Sequence, residues 1–200
     1  MKLHWNPASP FARKCLVCAA EAGVELEKIA RGGTALMTDN MPIEQNPLGK
    51  IPALERPDGP AIYDSRVITQ YLAVQGKCDL YPEAQIWEVL TLEATADGMM
   101  EAAVLMVYEG RTRPEEKQFP DWVEAQWSKI NRALDALEES WMSYLAGPID
   151  AAQIAIGCAL EYLDFRHEGR NWRSGRPRLD AWQAKFAKRE SMTNTVPENL

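Results

Sequence analysis

The chain has 200 residues, of which 46% are hydrophobic and 26% are charged, and its formal net charge is −7. This composition allows a normal buried core and excludes a chain that is disordered by composition. The acidic balance gives no support for a nucleic-acid partner.

The opening segment MKLHWNPASP contains no apolar run long enough for a signal peptide, and no later segment approaches the length of a membrane span. The four cysteines fit reduced thiols better than a disulfide framework. We therefore expect a cytoplasmic protein with no membrane partner.

Short strand-like and helix-like runs alternate in the first 77 residues. Ser9 and Pro10 predict the start of a helix over residues 10–22, because serine is a favoured N-cap and proline is tolerated at the first helical position. The other predicted elements are strands at residues 1–5, 25–30, 51–55 and 61–63, the last two around the turn RPDGP, and a helix at residues 65–75. This order predicts a small mixed sheet, with an antiparallel hairpin and helices on its faces.

Helical patterns fill the chain from residue 84 onward, over residues 84–110, 120–145, 150–165 and 177–187. Asp150-Ala-Ala-Gln153 predicts a capping box at the start of the third of these helices. The predicted fold class is therefore α/β plus all-α. One domain spans residues 1–77, and an all-helical domain spans residues 84–200.

The stretch SPFA at residues 9–12 stands where a redox protein of the glutaredoxin kind would carry Cys-Pro-aromatic-Cys. Ser9 either serves only as an N-cap, which is its ordinary role before proline, or belongs to a functional site. Cys15 and Cys18 fall inside the predicted helix, where an i,i+3 pair cannot easily close a disulfide. We predict that both are buried small apolar side chains and not a redox or metal site.

Two later stretches, Ile51-Pro52 and Asp64-Ser65, offer ligand-binding groups where a predicted strand or helix begins. Pro52 leads a predicted strand without a ladder donor. If the Ile51–Pro52 bond is cis, the backbone of Ile51 turns outward and can pair with an extended peptide; if it is trans, this is an ordinary strand entry. Asp64 and Ser65 precede a helix, where they either cap it or receive a ligand carboxylate.

These stretches, taken in order, resemble a known family. The residues that carry the resemblance are SPFARK (9–14), NPLGKIPAL (46–54), IYDSRVITQYL (62–72), IDAAQIAIGCALEYLDFR (149–166) and RPRLDAWQAKFAKRESMTNTVP (176–197). The chain resembles a glutathione S-transferase of the bacterial type over nearly its whole length. The resemblance implies a thioredoxin-like N-terminal domain, a helical-bundle C-terminal domain and a homodimer.

The resemblance further implies that glutathione is a co-substrate, with no other cofactor and no metal. The γ-glutamyl carboxylate of glutathione would lie at Asp64 and Ser65. Its cysteinyl backbone would pair with Ile51 beside Pro52, and its sulfur would point at Ser9. Ser9 would then be the catalytic residue, acting as a hydrogen-bond donor to the thiolate and not as a nucleophile.

Other positions keep two interpretations. Lys50 either meets the glycyl carboxylate of glutathione or is a solvated loop lysine, and Phe11 either shields the sulfur or packs on the domain seam. Asp97 either reaches the ligand amino group from a partner subunit or is a surface carboxylate. The candidate wall residues of the electrophile site, which are equally consistent with helix core, are Met99, Met100, Val104 and Tyr108.

The resemblance implies an enzyme in which bound glutathione thiolate attacks a small hydrophobic electrophile, or a related glutathione-dependent reaction such as peroxide reduction. The alternative is a non-catalytic interaction module on the same fold. The retained Ile51-Pro52 and Asp64-Ser65 pairs favour the enzyme. The chain departs from the family in the helix cap of the second domain, where Asp150 and Gln153 replace the usual Ser/Thr-x-x-Asp. It also has serine at the sulfur-contacting position, where related enzymes carry Tyr or Cys.

Overall fold

The structure, a computed structural model, describes residues 1–34 and 36–199. Its N-terminal part contains a four-stranded sheet of β1 (Lys2–Trp5), β2 (Glu27–Ala30), β3 (Ala53–Arg56) and β4 (Gly59–Ile62), in the spatial order β2-β1-β3-β4. β1 is parallel to β2 and antiparallel to β3, and β3 is antiparallel to β4. The mixed sheet predicted from the sequence is confirmed.

Two helices accompany this sheet, α1 (Pro10–Glu21) and α2 (Ser65–Gly76), and they pack against each other. Cys15 and Cys18 of α1 are fully buried, and their thiols face backbone carbonyls of α2. Burial raises the pKa of both thiols, so neither is a reactive thiolate. The prediction that they are buried apolar side chains is confirmed.

The β3–β4 hairpin is tighter than the sequence predicts. Its turn consists of Pro57 and Asp58 alone, and Pro60 lies inside β4, although the motif RPDGP had assigned it to the turn. β4 is the last strand of the sheet, and a proline is tolerated on an edge strand because its missing N–H breaks no ladder hydrogen bond there. Strand β4 therefore begins two residues before the predicted strand at 61–63.

The C-terminal part is all helical among the described residues, as predicted. Its α-helices are α3 (Ile86–Thr112), α4 (Pro120–Ala136), α5 (Met142–Leu145), α6 (Ala151–His167), α7 (Pro177–Phe186) and α8 (Glu190–Thr193). Short 3-10 turns occur at Glu83–Gln85, Glu115–Lys117 and Glu168–Arg170. Twelve of the 17 residues of α6 are buried, because this helix packs against α3 and, across the domain seam, against α1.

The single helix predicted over residues 120–145 is interrupted by a π-helical turn at Leu137–Trp141. Glu138 lies in this turn, and its carboxylate accepts hydrogen bonds from the backbone N–H groups of Arg178 and Leu179 at the start of α7. Its backbone carbonyl also accepts from the Arg178 guanidinium. The turn thus serves a contact with a helix 40 residues away, which a local sequence pattern does not reveal.

The predicted capping box at the start of α6 is confirmed. The Asp150 carboxylate accepts from the Gln153 N–H at 3.0 Å, and the Gln153 side-chain oxygen accepts from the Asp150 N–H at 3.0 Å. The departure from the family cap therefore leaves the helix start intact. Among the described residues, no helix combines the length and apolar character needed to span a bilayer.

Candidate functional site

The strand pairing brings three separate stretches to one edge of the sheet. His4 of β1 pairs with Ala53 of the antiparallel β3, so the residues after β1 lie beside those before β3. Leu54 pairs with Ile62, so the residues after β4 reach the same edge. The predicted site residues at positions 9, 51–52 and 64–65 all follow or precede these strand ends, and the topology therefore gathers them.

Ser9 is the N-cap of α1. Its Oγ accepts a hydrogen bond from the Ala12 N–H at 3.2 Å, and its own N–H donates to the Asn6 carbonyl at 2.9 Å. The hydroxyl proton has no acceptor among the described residues, so it remains available to a ligand. Phe11 is half-buried and packs against the hydrophobic core beside this helix start.

The Ile51–Pro52 peptide bond is cis, which decides the alternative left open by the sequence. Within the described part of the chain, neither the N–H nor the C=O of Ile51 has a backbone hydrogen-bond partner outside the strand ladders. Lys50 is exposed. The loop before Ile51 is held by the buried Asn46, whose side chain donates to the Lys50 carbonyl at 2.9 Å and accepts from the Leu48 N–H at 3.0 Å.

Asp64 is the N-cap of α2, and a second cis peptide bond joins it to Tyr63. Its carboxylate accepts from the Arg66 N–H at 3.0 Å and from the Arg66 guanidinium at 2.8 Å. These hydrogen bonds to Arg66 lower the pKa of Asp64. Ser65, only 3% exposed, is the first residue of α2, and its hydroxyl has no hydrogen-bond partner among the described residues.

A buried charge network lies behind the start of α2. The Lys14 side chain is 0% exposed, and its Nζ donates to Glu93 at 3.1 Å and to Asp97 at 2.7 Å. The Asp97 carboxylate also lies 3.7 Å from the Arg66 guanidinium. Burial raises the pKa of Glu93 and of Asp97, although Lys14 opposes the shift in both. Asp97 is therefore paired within its own chain and is not a surface carboxylate.

Sequence reasoning missed this network, together with the role of Asn46. The signal was present: Glu93 and Asp97 stand four residues apart on α3, beside the buried Leu92 and Ala96. Carboxylates on an apolar helix face require a cation when they are buried. Of the candidate wall residues, Met99 and Met100 are core, whereas Val104 and Tyr108 are half-buried.

Comparison with known proteins gives the same assignment for both halves of the chain. Residues 8–75 match the family model of the glutathione S-transferase N-terminal domain, and residues 120–183 match that of the C-terminal domain. The chain is 34% identical to the uncharacterized GST-like protein YibF of Escherichia coli K12, over 98% of each chain.

Among solved structures, a glutathione transferase family member from Pseudomonas fluorescens Pf-5 with bound glutathione is 42% identical, with a TM-score of 0.95 over 99% of each chain. A second structure of a glutathione transferase family member from the same organism, with bound S-(propanoic acid)-glutathione, is also 42% identical and has a TM-score of 0.90 over 100% of each chain. The elongation factor 1-gamma of Artemia salina is 30% identical, and the alignment spans 39% of its length. The chain therefore belongs to the glutathione S-transferase family.

Proposed function

We propose that the protein is a glutathione S-transferase of the bacterial type, in which Ser9 donates a hydrogen bond to the thiolate of bound glutathione. The observation that supports this most directly is the Ser9 hydroxyl itself. Its oxygen caps α1 through Ala12, and its proton is left unpaired among the described residues, at a helix terminus that favours anions.

In this proposal, glutathione lies along the sheet edge where Ser9, Ile51-Pro52 and Asp64-Ser65 come together. Its γ-glutamyl carboxylate lies at the start of α2, on the Ser65 hydroxyl and the Asp64–Ser65 backbone. Its cysteinyl backbone pairs with Ile51, next to the cis Pro52. Lys50 faces the glycyl carboxylate. Structures of the Pseudomonas fluorescens relative contain glutathione, which supports glutathione as the ligand of this chain as well.

The energetics allow this mechanism without a general base. The thiol of free glutathione has a pKa near 8.5, and this pKa must fall by about two units for the thiolate to dominate at neutral pH. That shift needs roughly 2.7 kcal/mol of stabilisation that favours the thiolate. A hydrogen bond to a charged acceptor contributes about 1.5–3 kcal/mol. A helix N-terminus adds about 0.3–2 kcal/mol. The two contributions together amount to about 1.8–5 kcal/mol, a range that includes the stabilisation required.

In the reaction, the thiolate attacks an electrophilic carbon, a C–S bond forms, the leaving group departs with its electron pair, and the thiol proton passes to solvent. The compound bound to the Pseudomonas fluorescens relative is glutathione substituted on sulfur, which supports sulfur as the reacting atom. The electrophile and the cytoplasmic location of this chain stay predictions.

The deciding measurement is the pKa of bound glutathione, followed by the ultraviolet absorbance of the thiolate across a pH series. We expect the wild-type protein to lower that pKa by about two units, and Ser9→Ala to raise it again by about 1–2 units, the equivalent of one charged hydrogen bond. Steady-state kinetics should show kcat/KM reduced by roughly 10- to 100-fold in Ser9→Ala. A bound thiol that titrates like free glutathione in both proteins would remove the mechanism.

The second candidate is a non-catalytic interaction module. The similarity to elongation factor 1-gamma favours it, because that relative carries the matching region within a longer protein that is not named a transferase. Calorimetric titration with glutathione separates the two candidates. Absence of binding heat at millimolar glutathione supports the module, whereas saturable binding with thiolate formation supports the transferase.

A further inference from the structure

Asn6 stands between the end of β1 and Ser9, in a tight turn. The Ser9 N–H donates to the Asn6 carbonyl at 2.9 Å, which closes a β-turn over residues 6–9. Pro7 occupies the second position of this turn, where its fixed φ is favoured. The Asn6 side-chain oxygen accepts from the Ala8 N–H at 2.9 Å, as in an Asx-turn. Asn6 therefore shapes the backbone that leads to Ser9.

The nitrogen of the same carboxamide ties this turn to β2. Asn6 Nδ2 donates to the Arg31 carbonyl at 2.7 Å, and Arg31 is the residue that follows the last residue of β2. The Arg31 N–H in turn donates to the Trp5 carbonyl at 2.8 Å, which continues the pairing between β1 and β2. The turn before Ser9 is therefore fastened to the end of the neighbouring strand.

Arg31 is a fixed point for this contact because its side chain is held as well. Its Nε donates to Nδ1 of His4 at 3.0 Å, and His4 is only 1% exposed. Since Nδ1 accepts, Nε2 carries the proton of the ring and donates to the Glu55 carboxylate at 2.6 Å. These side chains join β1, β3 and the end of β2, so the carbonyl that receives Asn6 has a defined position.

The two contacts of the Asn6 side chain require a carboxamide. One of its atoms must accept from an N–H and the other must donate to a carbonyl, and a short amide side chain supplies both. An aspartate would keep the acceptor for Ala8 but would present a second acceptor to the Arg31 carbonyl. An alanine would lose both contacts and keep only the backbone hydrogen bond of the turn.

We propose that Asn6 is a positioning residue of the transferase, which sets where the Ser9 hydroxyl meets the glutathione sulfur. This inference rests on the proposed function. A hydrogen bond weakens steeply when its distance or angle changes, so the thiolate is stabilised only if Ser9 is held in place. The Ala12 N–H fixes the Ser9 oxygen from the helix side, and the turn that Asn6 shapes fixes its backbone from the strand side.

The test measures the thiol pKa of bound glutathione, from the absorbance of the thiolate, in Asn6→Ala, in Ser9→Ala and in the double variant. We expect Asn6→Ala to raise that pKa by about one unit and to lower kcat/KM at neutral pH about tenfold. In the Ser9→Ala background, the same substitution should add less than about 0.3 units, because the hydroxyl through which Asn6 acts is already absent.

A second ligand, S-methylglutathione, has no thiol to ionise and therefore reports on the rest of the binding site. Its dissociation constant, measured by calorimetry, should change less than about threefold in Asn6→Ala, because the contacts proposed at Ile51 and Ser65 remain. The matched control is Asn40→Ala, which removes a 3.4 Å contact to the Arg31 side chain and leaves the turn at Asn6 intact. It should keep the wild-type thiol pKa.

Asn6→Ser keeps a side-chain acceptor for the Ala8 N–H and should raise the thiol pKa by less than Asn6→Ala does; it decides the matter if Asn6→Ala does not fold. A wild-type thiol pKa in the Asn6 variants, or an equal increment with and without the Ser9 hydroxyl, overturns the inference. A larger loss of S-methylglutathione affinity also overturns it, because Asn6 would then shape the whole site. If the wild-type protein lowers the thiol pKa in these cases, the transferase function stands; if it does not, both fall.

Discussion

Ser9 illustrates how one side chain serves two roles that a sequence cannot separate. Its Oγ accepts from the Ala12 N–H, as any N-cap does, and this leaves the hydroxyl proton free to donate. The structural and the functional interpretations are therefore compatible and not exclusive. What distinguishes them is the neighbourhood: an N-cap alone does not require Ile51 and Ser65 at the same sheet edge.

Asn46 carries a prediction at the residue scale. It is 2% exposed and holds the loop that leads into Ile51 through its contacts with Leu48 and Lys50. We expect Asn46→Ala to lower the free energy of unfolding by about 1–3 kcal/mol, because buried polar groups lose their partners. The dissociation constant of glutathione should rise in the same variant, because Ile51 loses its fixed position.

Urea denaturation and calorimetry with glutathione measure the two effects. The matched control is Asn40→Ala, because Asn40 lies in an exposed stretch and its side chain, within the described part of the chain, accepts one long hydrogen bond of 3.4 Å, from Arg31. That variant should resemble the wild-type protein in both measurements. Unchanged glutathione affinity in a destabilised Asn46→Ala would show that the loop does not position the ligand backbone.

At the scale of elements, the buried network of Lys14, Glu93 and Asp97 joins α1 to α3, and Asp97 extends it towards Arg66 on α2. Tyr81 also donates to Glu93 at 3.1 Å. Because one cation faces two carboxylates in a buried space, the balance of charge depends on Lys14. Removing Lys14 leaves the buried Glu93 without a cation and Asp97 with Arg66 alone, so near neutral pH each carboxyl group either carries a poorly compensated charge or takes up a proton.

We expect Lys14→Met to lower the free energy of unfolding by about 3–5 kcal/mol near neutral pH. The deficit should shrink as the pH falls from about 7 to about 5. Burial raises the pKa of Glu93 and Asp97 in the folded chain, so the folded state binds more protons than the unfolded state in this window, and lower pH favours it. Without Lys14, which opposes these shifts, the effect is larger in the variant.

Denaturant unfolding at the two pH values provides the measurement. Lys188→Met is the control, because Lys188 is exposed and has no ion pair among the described residues; it should change the stability little at either pH. A Lys14→Met deficit that stays constant between the two pH values would mean that the carboxylates do not take up protons when the cation is lost.

Sequence patterns predicted the elements well where the cause is local. The N-caps Ser9 and Asp64 and the Asp150–Gln153 capping box act within one turn of helix, and the structure contains all three. The patterns failed where the cause is distant. The interruption at Leu137–Trp141 follows contacts of Glu138 with α7, and the burial of Lys14 follows from carboxylates about 80 residues away.

At the scale of the whole molecule, α6 is the helix that packs against elements of both domains. It contacts α3 inside its own domain and α1 across the seam, and the Arg13–Glu161 pair lies at that seam. A second tie runs from Glu21 at the end of α1 to Arg189 and Ser191. The position of Ser9 at the start of α1 is therefore set by the helical domain as well as by the sheet.

The homodimer predicted from the sequence needs an interface, and exposed apolar side chains on α2 and α3 form a candidate for it. Val67 and Val74 share one face of α2 at i,i+7 spacing, and Trp87 stands at the start of α3; they are 47%, 72% and 76% exposed. Between α2 and α3 lies a hollow of about 570 Å³ whose wall includes Val74 and Ile86. Large apolar side chains beside a hollow are typical of a protein–protein contact.

We expect the wild-type protein to sediment as a dimer, with twice the 22.5 kDa mass of one chain. The variants Trp87→Glu and Val74→Glu should sediment as monomers. A carboxylate placed in an apolar interface must be desolvated without a partner, which costs several kcal/mol for each of the two symmetric copies. Phe119→Glu is the control, since Phe119 is also exposed, but its N–H donates to Glu109 near the C-terminal end of α3, the opposite end of that helix from Trp87. Sedimentation velocity of all four proteins at micromolar concentration decides the matter: a monomeric wild-type protein contradicts the dimer, and dimers that persist in both variants place the interface on another face.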